Sequence, residues 1–195
     1  MRNEVHGRVP PEPFDGPAAA SVADGPDRVP VAWLAGCLGD PAPQVHARRH
    51  VQLGGPPDAL SVEETARWVD AGREAAAHAK AAGVTVLVAA GAPSEATRRL
   101  RDWLDGKPVP EHAEIRGPLG ALRRLGDADL AVLVGVVLGA GEQGLAALAE
   151  GPAAGAAAEL AIAVEPELRP RVVTTEDADL TLAVLRTGVE LHARV

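Results

Sequence analysis

Three short stretches combine backbone and side chains suited to holding a ligand: Gly36-Cys37, Ala90-Gly91-Ala92-Pro93-Ser94 and Glu150-Gly151-Pro152. Each follows an apolar run of strand character, and in open parallel sheets ligands bind beyond the carboxyl ends of the strands. The second and third lead into a helix N-terminus, where unpaired N–H groups and the positive end of the helix dipole suit a phosphate. Glu150 stands where a strand-end acid can accept from a ribose hydroxyl, or it is a surface turn carboxylate. Cys37 is the only cysteine, which leaves no intramolecular disulfide and no thiolate cluster. It reads as a small buried hydrophobe at a strand end rather than as a nucleophile. His46 and His50 are four apart but lack a carboxylate close in sequence to complete a metal site. His78 falls on the outer face of an amphipathic helix, and His112 in a loop between Glu111 and Glu114. No metal and no cofactor are expected.

The elements that must position these stretches follow from periodicity and punctuation. Residues 1–28 are rich in Pro, Gly and Asp and show no apolar period, so they read as a disordered tail that cannot offset its ordering entropy. Val29 to Ala35 is a short apolar run ending at Gly36, suited to a buried strand. A polar stretch with His46, Arg48, Arg49 and His50 reads as loop through Pro57. Ser61 with Glu64 three positions on is a capping-box pair, and the helix it opens runs to Gly83. Val84 to Ala90 is apolar on both faces, as a central parallel strand must be. Helices are predicted from Pro93 to Leu104, from Leu119 to Leu125, and from Asp127 to about Gly141, the last capped by Asp127 and apolar almost all round. Leu145 to Ala149 is a strand, Pro152 to about Val164 an Ala-rich helix, and Arg171 to Thr174 a short strand. Glu176 to Arg186 reads as a helix and Val189 to Ala193 as an edge strand. Such alternation of strands and helices predicts a single three-layer α/β/α Rossmann-like domain with a mostly parallel sheet over residues 29–195.

Composition narrows the function classes. Of 195 residues, 47% are hydrophobic and 24% charged, enough for a sizeable core, yet with one Phe, three Trp and no Tyr the filling must be Ala, Val and Leu. With 19 basic against 27 acidic residues the net charge is −8. Together with the lack of stacking aromatics, this argues against nucleic acid as partner. The longest apolar run, Leu130 to Gly141, is too short to span a bilayer, and residues 1–16 show no apolar core of a secretory signal. A cytoplasmic protein is expected. A helix apolar on nearly every face has more surface than one sheet contact needs, which predicts a homodimer.

At this level the chain resembles a known family. LSVEETARWVDAGREAAAHAKAAGVTVLVAAG (Leu60 to Gly91) is similar to a segment of the nicotinate-nucleotide–dimethylbenzimidazole phosphoribosyltransferases, in which a capped helix leads into the strand before the phosphate loop. VPVAWLAG and HARRHVQLGG look like that family's preceding strand and basic connector. GPLGALRRLGDADLAVLVGVVLGAGEQGLAALAEG (Gly117 to Gly151) resembles the helices that feed its Asp-Gly strand end, with Glu150-Gly151 standing for Asp-Gly. The resemblance implies the family's α/β fold and a link to the nucleotide loop of cobalamin, built by phosphoribosyl transfer from nicotinate mononucleotide to a benzimidazole base. It implies a small-molecule nucleotide or benzimidazole ligand as partner.

The places that do chemistry depart from the family pattern. The family's Asp-His-Gly region has no counterpart. AAGAPSEAT (Ala89 to Thr97) replaces an acidic residue and a Gly-Asn-Thr-Thr loop, leaving Gly91, Ser94 and Thr97 as phosphate donors. The family's catalytic Glu lies in a Gly-Glu-Gly motif, and the matching stretch VVTTEDADLTLAVL offers Glu176 as the nearest acid. The bland alternative makes Glu176 and Asp177 first-turn acids that complement a helix dipole behind Thr174 or Thr175. The resemblance therefore implies a transferase scaffold with degraded catalytic motifs, or a non-catalytic nucleotide- or cobamide-precursor-binding or regulatory module, or a partner of a full-length transferase.

Overall fold

The computed structural model of the chain describes residues 37, 46–52, 59–110, 114–175 and 190–193. The tail over residues 1–28, the strand expected at 29–35, His112, Glu176 and the helix expected at 176–186 lie outside the described residues. In chain order the elements are β1 (His46–Gln52), α1 (Val62–Ala81), β2 (Val86–Gly91), α2 (Glu95–Leu104), α3 (Gly117–Leu125), α4 (Ala128–Glu142), β3 (Ala146–Glu150), α5 (Gly151–Val164), a 3-10 turn (Pro166–Arg171), β4 (Val172–Thr175) and β5 (Glu190–Ala193).

The five strands form one sheet of order β4-β3-β2-β1-β5, parallel at every pairing. From β1 to β4 each strand is added on the same side of the last. Right-handed crossovers then put the intervening helices on one face. There α4 and α5 pack on β2 and β3, and α1 lies against α4. Leu87, Ala89, Ala147 and Ala149 belong to the core shared with Leu133, Val137 and Leu160. On the alternate strand positions Val86, Val88, Ala146 and Leu148 are buried as well, as a sheet shielded on both sides requires.

Local chemistry sets most element boundaries as the residue pattern predicts. Ser61 Oγ accepts from Glu64 N at 3.1 Å, and Glu64 Oε2 accepts from Ser61 N at 2.9 Å. The bond from Ser61 N, with the Ser61 hydroxyl beside it, holds the Glu64 carboxyl below its ordinary value. Asp127 caps α4 through Leu130 N at 2.7 Å, and His78 is exposed.

Two local expectations are corrected. The polar stretch at His46 is not loop: His46–Gln52 forms β1, an interior strand paired with β2 from Ala47↔Val86 to Gln52↔Gly91 and with β5 on its other side. HARRHVQ lacks the apolar run by which an interior strand is recognised. It is placed by ladder bonds on both edges, a tertiary effect that overrides local propensity. Cys37 is helical rather than the last residue of a strand. It is 8% exposed, and its thiol donates to Pro170 O at 3.3 Å. Burial pushes the thiol up to about 11, against the pull of Arg171, so it is inert at neutral pH, as a buried cysteine should be.

The apolar circumference of α4 is used inside the chain. Every residue from Leu130 to Ala140 is buried, with the sheet, α1 and α5 around it. The contact with α1 is backbone on backbone. A Cβ at Gly135 would lie 2.0 Å from Val69 O, one at Gly72 2.2 Å from Val132 O, and one at Gly139 2.8 Å from Arg73 Cα. α4 therefore leaves no unpartnered face for a homodimer, because the faces turned away from the sheet are occupied by the protein's own helices.

Gly135→Ala must push α1 and α4 apart, and overpacking of this kind costs about 1–3 kcal/mol. A Cβ at Gly120 on α3 has nothing nearer than 3.9 Å, so Gly120→Ala should add about 0.4–1 kcal/mol. In thermal melts the two variants are expected to move in opposite directions, G135A downward and G120A upward.

Candidate functional site

The chain leaves β2 at Gly91, crosses Ala92 and Pro93, and enters α2 with Ser94 as N-cap. Thr97 N donates to Ser94 Oγ at 3.1 Å and Ser94 N donates to Thr97 Oγ1 at 3.2 Å. The two hydroxyl oxygens are 3.1 Å apart. Ser94 Oγ also donates to Asp127 Oδ2 at 3.1 Å, 33 residues away. Asp127 is 2% exposed, and it joins the loop after β2 to the first turn of α4. Gly91, Ser94 and Thr97 are thus brought together as expected, but the capping box occupies both side chains. The crevice that remains beside them measures about 10 Å³ and is lined by Asp127 and Asp129. That is room for one water, beside two carboxylates that repel an anion.

Burial is the main influence on Asp127 and raises its carboxyl above the ordinary value. The bonds from Leu130 N and Ser94 pull it back in part, and nearby Asp129 adds to the rise. The folded state therefore binds this proton more tightly than the unfolded chain does. The resulting stabilisation is present below the unfolded carboxylate value, roughly 3.9, and is lost as pH rises through the higher folded value.

A second opening lies at the ends of the next two strands. The register Ala90↔Glu150 and Glu150↔Thr175 sets the end of β3 between β2 and β4. Glu150 is half-buried and precedes α5 without a side-chain cap bond. Gly151 turns the chain at φ +82°, a left-handed conformation that favours glycine. Beyond it opens a groove of about 460 Å³ lined by Gly151, Gly155 and Glu159 of α5, Thr174 and Thr175 of β4, and Arg101 and Asp105 from the end of α2. The volume is that of a small-molecule site. Arg101 Nη1 donates to Glu159 Oε1 at 2.5 Å across the groove.

The structure separates what the residue pattern had grouped. Gly91, Ser94 and Thr97 close the end of β2, whereas Gly151 opens onto the groove and Glu150 stands between the two. Thr174 and Thr175 lie within β4, and Glu176, next in sequence, lies outside the described residues. Arg101, Glu159 and the Asp127–Ser94 bond carry no local signal, since each pairing is 33 or more residues long. Among the described residues no group of three or more His, Cys, Asp or Glu could hold a metal ion. No helix among them is long and apolar enough to cross a membrane.

Asp127→Asn keeps an acceptor for Leu130 N and supplies an amide that can bond Ser94, while removing the buried charge. Its melting temperature at pH 7 is expected to equal or exceed that of the unsubstituted protein, with the gap narrowing toward pH 4. Asp127→Ala loses the cap as well and should cost about 1–2 kcal/mol.

Residues 105–179, from the end of α2 past β4, match the family model described as Phosphoribosyltransferase. A curated relative, the nicotinate-nucleotide–dimethylbenzimidazole phosphoribosyltransferase of Ectopseudomonas mendocina (strain ymp), is 28% identical over 166 residues, 67% of this chain and 47% of its own length. The chain thus spans about half the length of that relative. Two crystal structures from Thermus thermophilus share the fold. One, of CobT, has a TM-score of 0.65 at 20% identity, over 92% of this chain and 84% of the other. The second, of nicotinate-nucleotide–dimethylbenzimidazole phosphoribosyltransferase, has 0.64 at 19% identity, over 93% and 89%. The stretch matched by the family model contains Asp127 and every groove residue except Arg101. The chain is thus similar, over part of its length, to a nicotinate-nucleotide–dimethylbenzimidazole phosphoribosyltransferase, and it shares the fold of the two solved structures.

Proposed function

We propose that the chain binds a nicotinate-nucleotide-type ligand in the groove at the ends of β3 and β4, as a phosphoribosyltransferase-like protein of cobalamin lower-ligand synthesis. The observation that carries this reading is the groove itself. It has the volume for a nucleotide-sized ligand, it lies at parallel strand ends, and its walls fall largely within the stretch shared with the family. Gly151 of the expected phosphate and ribose set lines it, and Glu150 precedes Gly151 at the end of β3. Gly91, Ser94 and Thr97 contribute as the closed wall beside it rather than as donors, because their hydroxyls are engaged with one another and with Asp127.

Catalytic motifs are degraded in this reading. A transferase of this chemistry must stabilise the positive charge that develops on the ribose as the pyridine nitrogen leaves with the bonding electrons, and take a proton from the incoming benzimidazole. Glu176, which follows groove-lining Thr175 in sequence, is the proposed base, and no glycines flank it as in the family motif. A non-catalytic binding module is favoured by the closed end of β2, where the crevice of about 10 Å³ cannot take a second substrate. The reading carries a cytoplasmic location, where nucleotide substrates are made. It keeps a homodimer, supported now by Val62 and Leu119, 61% and 48% exposed on helices that Leu60 N→Arg123 O brings together.

Titration of thermal stability with nicotinate mononucleotide and dimethylbenzimidazole tests the proposal. A ligand at 100 times its dissociation constant should add about 2.7 kcal/mol to the folded state. Stabilisation by the mononucleotide is the expected result, and none by either compound would sink the proposal. Release of nicotinate in the presence of both compounds, lost in Glu176→Gln, would identify a working transferase; stabilisation without release identifies the binding module.

A further inference from the structure

Arg101 is the one cationic side chain among the described residues that line the groove, and its surroundings differ from those of Arg98 on α2 and of Lys107 just beyond it. Arg98 is neutralised on its own helix by Glu95 and Asp102. Lys107 takes Asp102 and Asp105, at 3.1 and 3.0 Å. Asp105 is the natural partner of Arg101 one turn on, and Lys107 engages it. Arg101 instead leaves its helix and crosses to Glu159 on α5, with 31% of its side chain exposed. Gly155, one turn before Glu159, leaves the floor beneath the guanidinium flat: a Cβ there would stand 3.3 Å from Nη2. Glycine in a helix interior weakens the helix, and the neighbour that needs the space is this guanidinium.

We infer that Arg101 reads the anionic group of a phosphate monoester in the groove, and that Glu159 holds its place until the ligand enters. The inference rests on the groove being the ligand site proposed above. An ion pair this exposed contributes little, so exchanging Glu159 for phosphate is cheap. A guanidinium presents a planar fork of donors suited to bidentate phosphate binding. The described bond to Glu159 uses Nη1 alone. The first turn of α5, which Glu150 does not cap through its side chain, faces the same opening through Gly151 and adds the favourable end of its dipole. Glu159 and Asp105 then offer acceptors to sugar hydroxyls, and Thr174 and Thr175 line the far wall. One cation against two carboxylates also sets an upper limit on ligand charge. A monophosphate is accepted, whereas the three or four negative charges of a polyphosphate are repelled.

Isothermal titration of the full chain with nicotinate mononucleotide, ribose 5-phosphate and ATP tests this. Both monophosphates are expected to bind more tightly than ATP. Arg101→Gln should weaken their binding about tenfold or more, which is the loss of one charge-assisted bidentate contact. Glu159→Gln should strengthen it several-fold, and because that change is a gain, a folding defect cannot imitate it. If R101Q binds the mononucleotide as tightly as the unsubstituted chain, or E159Q binds it no better, the inference is overturned while the groove stands as a nucleotide site. If ribose 5-phosphate binds through Arg101 and the mononucleotide does not, the inference stands and the nucleotide reading falls. If neither binds, both fall. Tighter binding of ATP overturns the charge limit.

Discussion

The backbones of α1 and α4 touch, and that contact fixes α4 over the sheet. Gly72, Gly135 and Gly139 bring main chain against main chain where any side chain would overlap a carbonyl or a Cα. Two helices so close leave no room for large residues between them, which is why a core nearly free of aromatics can still be dense. The cost is rigidity. α4 cannot slide or turn without opening the seam, so its first residue, at the N-cap, is held at a fixed place over the sheet.

That N-cap is Asp127. With α4 immobile its carboxylate comes to rest against Ser94 and ties the start of α4 to the start of α2. The end of β2 is therefore filled by the protein's own hydrogen bonds, and a phosphate there would meet a buried carboxylate and two hydroxyls already engaged. One strand over, the conditions reverse. Gly151 turns the chain in a left-handed conformation, α5 begins without a side-chain cap, and a guanidinium is among the groups that line the opening. Space for a small molecule thus lies at the ends of β3 and β4, while the end of β2 is filled.

The residue pattern disclosed the parts of this that depend on neighbours in sequence. Ser61 with Glu64, Asp127 before α4 and the apolar run at Val84 to Ala90 each announce an element through spacing of one to four residues. β1 did not announce itself. His46–Gln52 is held by pairing with β2 and β5, partners about 40 and 144 residues away in register, and its own residues look like loop. The circumferential apolarity of α4 was visible, but not what covers it, because Gly72 on α1 carries no periodic signal beyond being small. For the site, the strand ends at Gly91 and Gly151 were legible as turns. Which of them is open was not, since that depends on Asp127 reaching Ser94 and on Arg101 passing over Gly155 to Glu159.

The same separation bears on what the strand ends can bind. The seam between α1 and α4 and the parallel ladder of β1 to β4 do not depend on what occupies the strand ends, so the loop after β2 can carry Ala-Pro-Ser without disturbing either. Once Ser94 and Thr97 form a capping box, the first turn of α2 is satisfied from within, and the anion it would otherwise attract has no stabilising role left to play there. In the groove beside β4 the anion that pairs with Arg101, Glu159, sits on an exposed side chain with rotamers to spare, while Asp127 is fixed in the core. A buried carboxylate closes a site permanently, and an exposed one can be exchanged. Of the two ends of this sheet edge, only the second retains the physical means to respond to a ligand.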